Sequence, residues 1–296
     1  MSKSNSLSVV LATYNEAENI ERCLKAVKDL ADEIIVVDGE STDDTVKIAK
    51  KCGAKVIKTS NKPIFHINKQ MAIDEAKGDW ILQLDADEVV SDKLKSEISR
   101  VLTMTNDELD QRIIDPKKKI LFDRHKKILE KRDGKFGIKE DKIAAFLIPR
   151  INVFIGRHMM NGGVYPDGVI RLMRNGKAKF PCKSVHEQIE VSGSVSWLES
   201  DLIHYDSPTF SKYITRANRY TSLTAEKMRS EKVLLSFVND VKYIFWKPMI
   251  TFLSLFFRHR GYKDKFPGFV FALFSGLHYT LAYMKLGDLY RNESSN

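Results

Sequence analysis

Four short apolar runs constrain this chain more than anything else in it. They lie at 7–12 (LSVVLA), 33–38 (EIIVVD), 54–59 (AKVIKT) and 80–84 (WILQL). Between them stand polar turns and stretches whose apolar residues recur at helical spacing, as at Ile20, Leu24, Val27 and Ala31. Strands alternating with helices predict βαβ units, a parallel sheet and right-handed crossovers over residues 7–103. In the second turn, Thr42, Asp43, Asp44 and Thr45 are expected to supply capping oxygens and first-turn acids to a helix ending near Gly53. A further helix over 65–77 is stopped by Gly78.

The fourth run leads straight into Asp85-Ala86-Asp87-Glu88. In open α/β sheets, ligands bind at the carboxyl ends of the strands. Strand alternation is expected to turn Asp85 and Asp87 to the same face and Ala86 to the other. Two such carboxylates would raise each other's pKa, and a divalent cation removes that conflict. Hard oxygen ligands suit Mg²⁺ or Mn²⁺, with phosphates completing the shell. The plainer alternative is that these acids cap a following helix.

Charge and cysteine usage narrow the partners. With 48 basic and 39 acidic side chains the net charge is +9, which favours anionic partners. Cys23, Cys52 and Cys182 are odd in number and far apart, so they form neither a disulfide framework nor a metal spacing. Residues 1–6 are short and polar, unlike a signal peptide, which leads us to expect a cytoplasmic first domain. Residues 106–142 form a dense basic insertion, with Lys117, Lys118 and Lys119 and a cluster over 124–132. It reads either as a solvated helical excursion or as a surface for anionic headgroups or an acidic acceptor.

Strand-like segments return at 146–155, 168–175, 184–191 and 194–205, with turn signals between them. They predict an antiparallel extension at the sheet's carboxyl edge, and a helix then runs from Ser207-Pro208 to about Ser230. Residues 248–257 and 266–284 carry no charge, and the loop between them holds Arg258, Arg260, Lys263 and Lys265. The second run, 19 residues long, reaches the spanning threshold but contains Pro267, Gly268 and Gly276. A membrane span, a hairpin lying in the interface and a buried core pair all fit, and membrane contact is the expectation taken forward.

Thr13-Tyr14-Asn15-Glu16, the run 38–45 (DGESTDDT), Gly78-Asp79-Trp80 and the run 84–88 (LDADE) follow the order and spacing of the family-2 glycosyltransferases. Tyr165-Pro166-Asp167, the run 171–174 (RLMR), Val185-His186-Glu187, His204-Tyr205 and Trp246-Lys247-Pro248 resemble the lipopolysaccharide-core glucosyltransferase branch. The resemblance implies a GT-A fold over 1–232: a Rossmann-like, mostly parallel sheet with an antiparallel extension, the insertion at about 106–142 included. It also implies membrane-associated helices over 233–296. The activity it implies transfers a sugar, with inversion, from a nucleotide-diphosphate donor (a uridine one in most members) in the presence of Mn²⁺ or Mg²⁺. The acceptor would be a lipid-linked or envelope glycan, met at the cytoplasmic face of the inner membrane by a peripheral or hairpin-anchored protein.

Carried over by position, Thr13, Tyr14, Asn15 and Glu16 lie at the nucleotide pocket and Asp38 accepts a hydrogen bond from uracil. Asp85 and Ala86 sit near ribose or metal, and Asp87 binds the metal that bridges the diphosphate. Lys69 stands where many relatives carry Arg, replacing a planar fork with a point charge. Glu187 is the preferred general base and Asp167 its rival. His186 either orients Glu187, touches diphosphate or is a core residue. His204 is a candidate third metal ligand, and Arg171 and Arg174 bind diphosphate or pair with acids. A non-catalytic, membrane-surface binding protein with the same fold is the competing reading, opposed by intact Asp85, Asp87 and Glu187. A dehydrogenase lacks its glycine-rich signature here, and a nucleic-acid partner lacks any recognised module.

Overall fold

The computed structural model describes residues 5–135, 137, 142–183 and 188–294. In chain order these form β1 (Leu7–Thr13), α1 (Ile20–Val27), β2 (Glu33–Asp38), α2 (Thr45–Lys51), β3 (Lys55–Lys58), α3 (His66–Asp74) and β4 (Trp80–Leu84). There follow β5 (Glu88–Val90), α4 (Asp92–Thr103), α5 (Asn106–Asp110), α6 (Pro116–Asp133), β6 (Ile143–Phe154), β7 (Arg157–Met159), β8 (Asp167–Arg174), β9 (Ala178–Lys179) and β10 (Glu190–Val191). The chain continues through β11 (Ser194–Trp197), β12 (Leu202–Ser207), α7 (Phe210–Ser230), α8 (Phe237–Asp240), α9 (Lys247–Leu253) and α10 (Lys265–Ser294). It divides into two compact units, Met1–Arg150 with Pro166–His204, and Ile151–Tyr165 with Tyr205–Asn296.

The first unit is a mixed sheet in the order β3-β2-β1-β4-β8-β6-β12-β5. The four strands read from the sequence are its parallel half, and β8, antiparallel to β4, opens the extension. This is the GT-A arrangement that the motifs imply. Within β1 only Ala12 escapes full burial, because helices cover both faces of the sheet. Alternation sorts its side chains: Val9 and Leu11 pack with Leu24, Leu94 and Ile98, whereas Val10 packs with Ala72, Ile73 and Phe122. Gly78 is required where it stands, since a Cβ there would lie 2.7 Å from both the backbone nitrogen and Oγ of Ser8.

Two expectations change here. The basic insertion is helical and mostly exposed, but it is also anchored: Phe122 and Leu129 of α6, one face of two helical turns, are buried in the core. The Phe122 ring stacks on Trp197 with centroids 4.4 Å apart, while Ile120 and Ile128 remain exposed. The acids after β4 do not cap a helix. Ser91 caps α4, its Oγ accepting from the Leu94 nitrogen at 3.3 Å.

The second unit is mainly helical. A nearly continuous arm runs from Phe237 to Arg258, with π-helical turns at Val241–Trp246 and Ser254–Arg258, and a 3₁₀ turn (Gly261–Asp264) connects it to α10. The buried Asp264 carboxylate ties that turn to Asn161, accepting from its backbone nitrogen at 2.8 Å and from Nδ2 at 2.9 Å. Arm and α10 approach closely at Gly276, where a Cβ would lie 2.6 Å from the Pro248 carbonyl oxygen. Tyr243 and Tyr283 stack 5.1 Å apart. A helical hairpin therefore forms, and the span 261–292 is long and apolar enough to cross a membrane by length and composition.

Candidate functional site

At the carboxyl ends of β1 and β2 two loops are laced together. Thr13 and Asp38 stand opposite each other in register, and Thr13 Oγ1 donates to Asp38 Oδ2 at 3.1 Å. Ser41 Oγ donates to the same oxygen at 2.6 Å, and its backbone nitrogen donates to Oδ1 at 2.9 Å. In return Ser41 Oγ accepts from the Asn15 nitrogen at 2.8 Å, and Asn15 Oδ1 accepts from the Thr42 nitrogen at 2.8 Å. Glu16 N donates to Thr45 Oγ1 at 2.7 Å, and Ala17 N to Asp43 Oδ2 at 3.1 Å. Asp43 thus serves both sides, its Oδ1 accepting from the Thr45 nitrogen at the start of α2 at 3.0 Å while Oδ2 holds the neighbouring loop, and Asp44 makes no side-chain capping bond. Asn15 and Glu40 take left-handed backbone, which Asn tolerates and which costs Glu40 on the order of 1 kcal/mol. Asp38 is fully buried beneath this knot, while Tyr14 is exposed above it.

Beside the knot lies a closed charge cluster. The strand ends at Leu84, so Asp85, Ala86 and Asp87 form a turn, and the two acids face different partners. Lys69 Nζ lies 2.5 Å from Asp85 Oδ1, and Arg171 Nη2 lies 2.6 Å from Oδ2. The same Arg171 nitrogen reaches Glu88 Oε1 at 2.8 Å, and its Nη1 donates to Gln83 Oε1. Arg150 spans Glu88 at 2.9 Å and Asp167 at 2.6 Å. Three cations thus match three carboxylates. Burial would raise the Asp85 pKa, but Arg171 and Lys69 outweigh it and hold the carboxyl well below the usual range. Mutual repulsion with Asp87 does not govern this group.

Asp87 meets an imidazole, with His204 Nε2 3.4 Å from Asp87 Oδ2. The strands place them there: β12 runs antiparallel to β5 with His204 opposite Glu88. Burial lowers the His204 pKa, and the hydrogen bond with Asp87 more than restores it. One carboxylate oxygen and one imidazole nitrogen fit a divalent transition ion such as Mn²⁺. No group of three or more His, Cys, Asp or Glu side chains able to hold an ion occurs among the described residues.

Other candidates are sorted by topology. Arg174 is not at the site: β8 runs antiparallel to β4, so Arg174 pairs with Trp80 at the strand's start and its guanidinium lies 4.5 Å over that ring. Cys23 is buried, and burial together with the charges of Glu88, Asp87 and Asp85 pushes its thiol up, leaving it protonated. His186 and Glu187 lie outside the described residues. Arg150 and Gln83 were not anticipated, and a lone Arg in an apolar strand carries no motif that would have flagged it.

The family model for glycosyl transferase family 2 matches residues 8–159. The uncharacterized glycosyltransferase RP128 of Rickettsia prowazekii (strain Madrid E) is 28% identical over 294 residues, 96% of this chain and 87% of that protein. The SPbeta prophage-derived glycosyltransferase SunS of Bacillus subtilis (strain 168) is 38% identical over 94 residues, 31% of this chain and 22% of that one. Among solved structures, glucosyl-3-phosphoglycerate synthase from Mycobacterium tuberculosis, in complex with Mn²⁺, uridine diphosphate and glucosyl-3-phosphoglycerate, aligns at 29% identity. That alignment covers 29% of this chain and 34% of the other with a TM-score of 0.27, too partial to bear on ligands here. With the match running from β1 through β7, this chain belongs to glycosyl transferase family 2.

Proposed function

We propose that the chain is an inverting, metal-dependent glycosyltransferase that uses a uridine-diphosphate sugar. The pairing of Asp87 with His204 beside a charge-closed cluster carries this reading. Asp87 and His204 would hold Mn²⁺ or Mg²⁺, which when bound neutralises the charge of the leaving diphosphate. Asp85 anchors the turn through Lys69 and Arg171, so that Asp87 is presented at a fixed position. Tyr14, Asn15 and Glu16 form the nucleotide side of the pocket, with Asp38 and Thr13 as its braced floor. Glu187 takes the acceptor hydroxyl's proton. Asp167, ion-paired with Arg150 at 2.6 Å, is less suited to that task.

The acceptor in this reading is a lipid-linked or envelope glycan such as lipopolysaccharide core, supported by the motif resemblance from 165 to 248. The place of action is the cytoplasmic face of the inner membrane. That is supported by the exposed apolar residues Phe237, Val241, Phe245, Trp246, Met249, Leu253 and Phe257 along one arm, beside basic Arg258, Arg260 and Lys263.

The test is a thermal shift with uridine diphosphate, with and without Mn²⁺, on wild type and Asp87→Asn. Nucleotide at about 100 times its dissociation constant stabilises by roughly 2.7 kcal/mol. We expect a metal-dependent rise in melting temperature of a few degrees that Asp87→Asn abolishes without changing the ligand-free melt. Failure to bind any nucleotide would leave the non-catalytic reading standing.

A further inference from the structure

The helical unit holds a cavity of about 770 Å³ between α7 and α10, within the size range of small-molecule sites. Tyr213, Ile214 and Tyr220 of α7 and Phe274 and Leu281 of α10 form its apolar walls. Its α7 lining extends from Tyr213 to Thr224, about 16 Å along the helix axis, the reach of a long acyl chain. Polar chemistry gathers at Thr224 and His278, whose Oγ1 and Nε2 lie 2.9 Å apart, and at Lys285.

Lys285 is unusual for a cation in such a place. Its ammonium donates to neutral oxygens: the Asn218 carbonyl at 2.6 Å, Asn218 Oδ1 at 2.7 Å, Thr221 Oγ1 at 2.8 Å and Ser222 Oγ at 2.9 Å. None of these partners is a carboxylate. The one acid in the lining, Asp206, is matched by Arg216 at 2.5 Å. His278 adds no negative charge, and burial together with Lys285 lowers its pKa. The cavity therefore has apolar walls interleaved with neutral polar groups such as Thr215, Thr221 and Ser275, an Asp206–Arg216 pair, and one positive charge, Lys285, without a carboxylate partner.

We propose that this cavity binds one anionic single-chain lipid, its hydrocarbon along Tyr213, Ile214, Phe274 and Leu281 and its headgroup toward Lys285. The site goes beyond the donor-site reading and does not depend on it. It is also distinct from adsorption of the exposed arm to a bilayer, since it takes a single molecule into a solvent-open groove between α7 and α10.

The test is native mass spectrometry of the full chain with 1-oleoyl-lysophosphatidic acid, with neutral monoolein and inorganic phosphate as comparisons. We expect one adduct per chain that saturates with the lysophosphatidic acid, at least tenfold weaker binding of monoolein, and none of phosphate. Ala217→Trp, which fills the cavity from α7, and Leu281→Trp, which fills it from α10, should each abolish the adduct, and Lys285→Gln should weaken it at least tenfold. Phe245→Glu, on the exposed arm, should leave it unchanged. Persistence of the adduct in both tryptophan variants, non-saturating uptake, or equal binding of phosphate overturns the proposal. The uridine diphosphate shift, read on the same variants, fails or survives separately and so keeps the two readings apart.

Discussion

Asp85 and Arg171 stand 2.6 Å apart, carboxylate oxygen to guanidinium nitrogen, where the parallel half of the sheet meets the antiparallel half. The contact ties the turn after β4 to β8, and Lys69 closes the other carboxylate oxygen from α3. Both basic side chains are nearly inaccessible, so the arrangement is stable only while every member is present.

Removing one member should expose that dependence. Arg171→Met leaves Asp85 and Glu88 short of a cation in a buried site and should cost about 3–5 kcal/mol in denaturant unfolding. Arg171→Lys keeps the charge but loses the fork that reaches Asp85, Glu88 and Gln83 together, so it should restore only part of the loss. A cost below about 1 kcal/mol for the Met variant would show that the cluster does not hold the turn.

Ser41 is the link between the loops that follow β1 and β2. Ser41→Ala removes the donor to Asp38 and the acceptor for the Asn15 nitrogen. We expect a loss of about 1–3 kcal/mol in stability. The uridine diphosphate shift should also shrink, because the loop carrying Tyr14 loses its anchor. Unchanged nucleotide binding would move the pocket elsewhere.

Glu33 gives a pH dependence remote from the site. Burial raises its pKa, but the Ser8 hydroxyl at 2.5 Å and the Lys77 nitrogen at 2.6 Å, both donating to Oε1, bring it below the ordinary value near 4.5. A depressed folded pKa stabilises above the unfolded value, and that contribution is lost as pH falls through the folded one. Wild type should therefore lose more stability than Glu33→Gln on acidification from about pH 5 to pH 3. Parallel melting curves for the two proteins across that window would refute the assignment.

The exposed arm makes its own forecast. Phe245 and Trp246 are 67% and 57% exposed, and a charge at each should abolish adsorption to a bilayer. In co-sedimentation with vesicles containing anionic lipid, Phe245→Glu combined with Trp246→Glu should move the protein from pellet to supernatant, and added salt should weaken wild-type binding. Equal pelleting of the two proteins would mean that the arm is not a membrane surface.

Several features were legible without the fold. The parallel strands β1, β2 and β4 could be read because a strand buried on both faces is a local property, largely apolar over five or six consecutive residues and bounded by turn formers. Thr13, Asp38 and the acids of the turn after β4 were legible because motifs at strand ends are contiguous. Helix spacing over 106–142 was harder: Phe122 and Leu129 lie seven apart among nine Lys, Arg and Asp side chains from 117 to 132, and charge masked the face they share.

The sequence by itself determined the sheet's parallel half, the acidic turn at its carboxyl edge and the family to which both belong. Only tertiary structure decided which cation meets which acid. Arg171 comes from a strand 86 positions away from Asp85, and the antiparallel register of β8 on β4 chooses Arg171 over Arg174 for the site. The strand end at Leu84 likewise parts Asp85 from Asp87, giving one to Arg171 and Lys69 and the other to His204. Period and motif act over a few residues and are written locally. Register acts between segments far apart in the chain, and shifting it by one residue would turn every side chain of β8 to the opposite face.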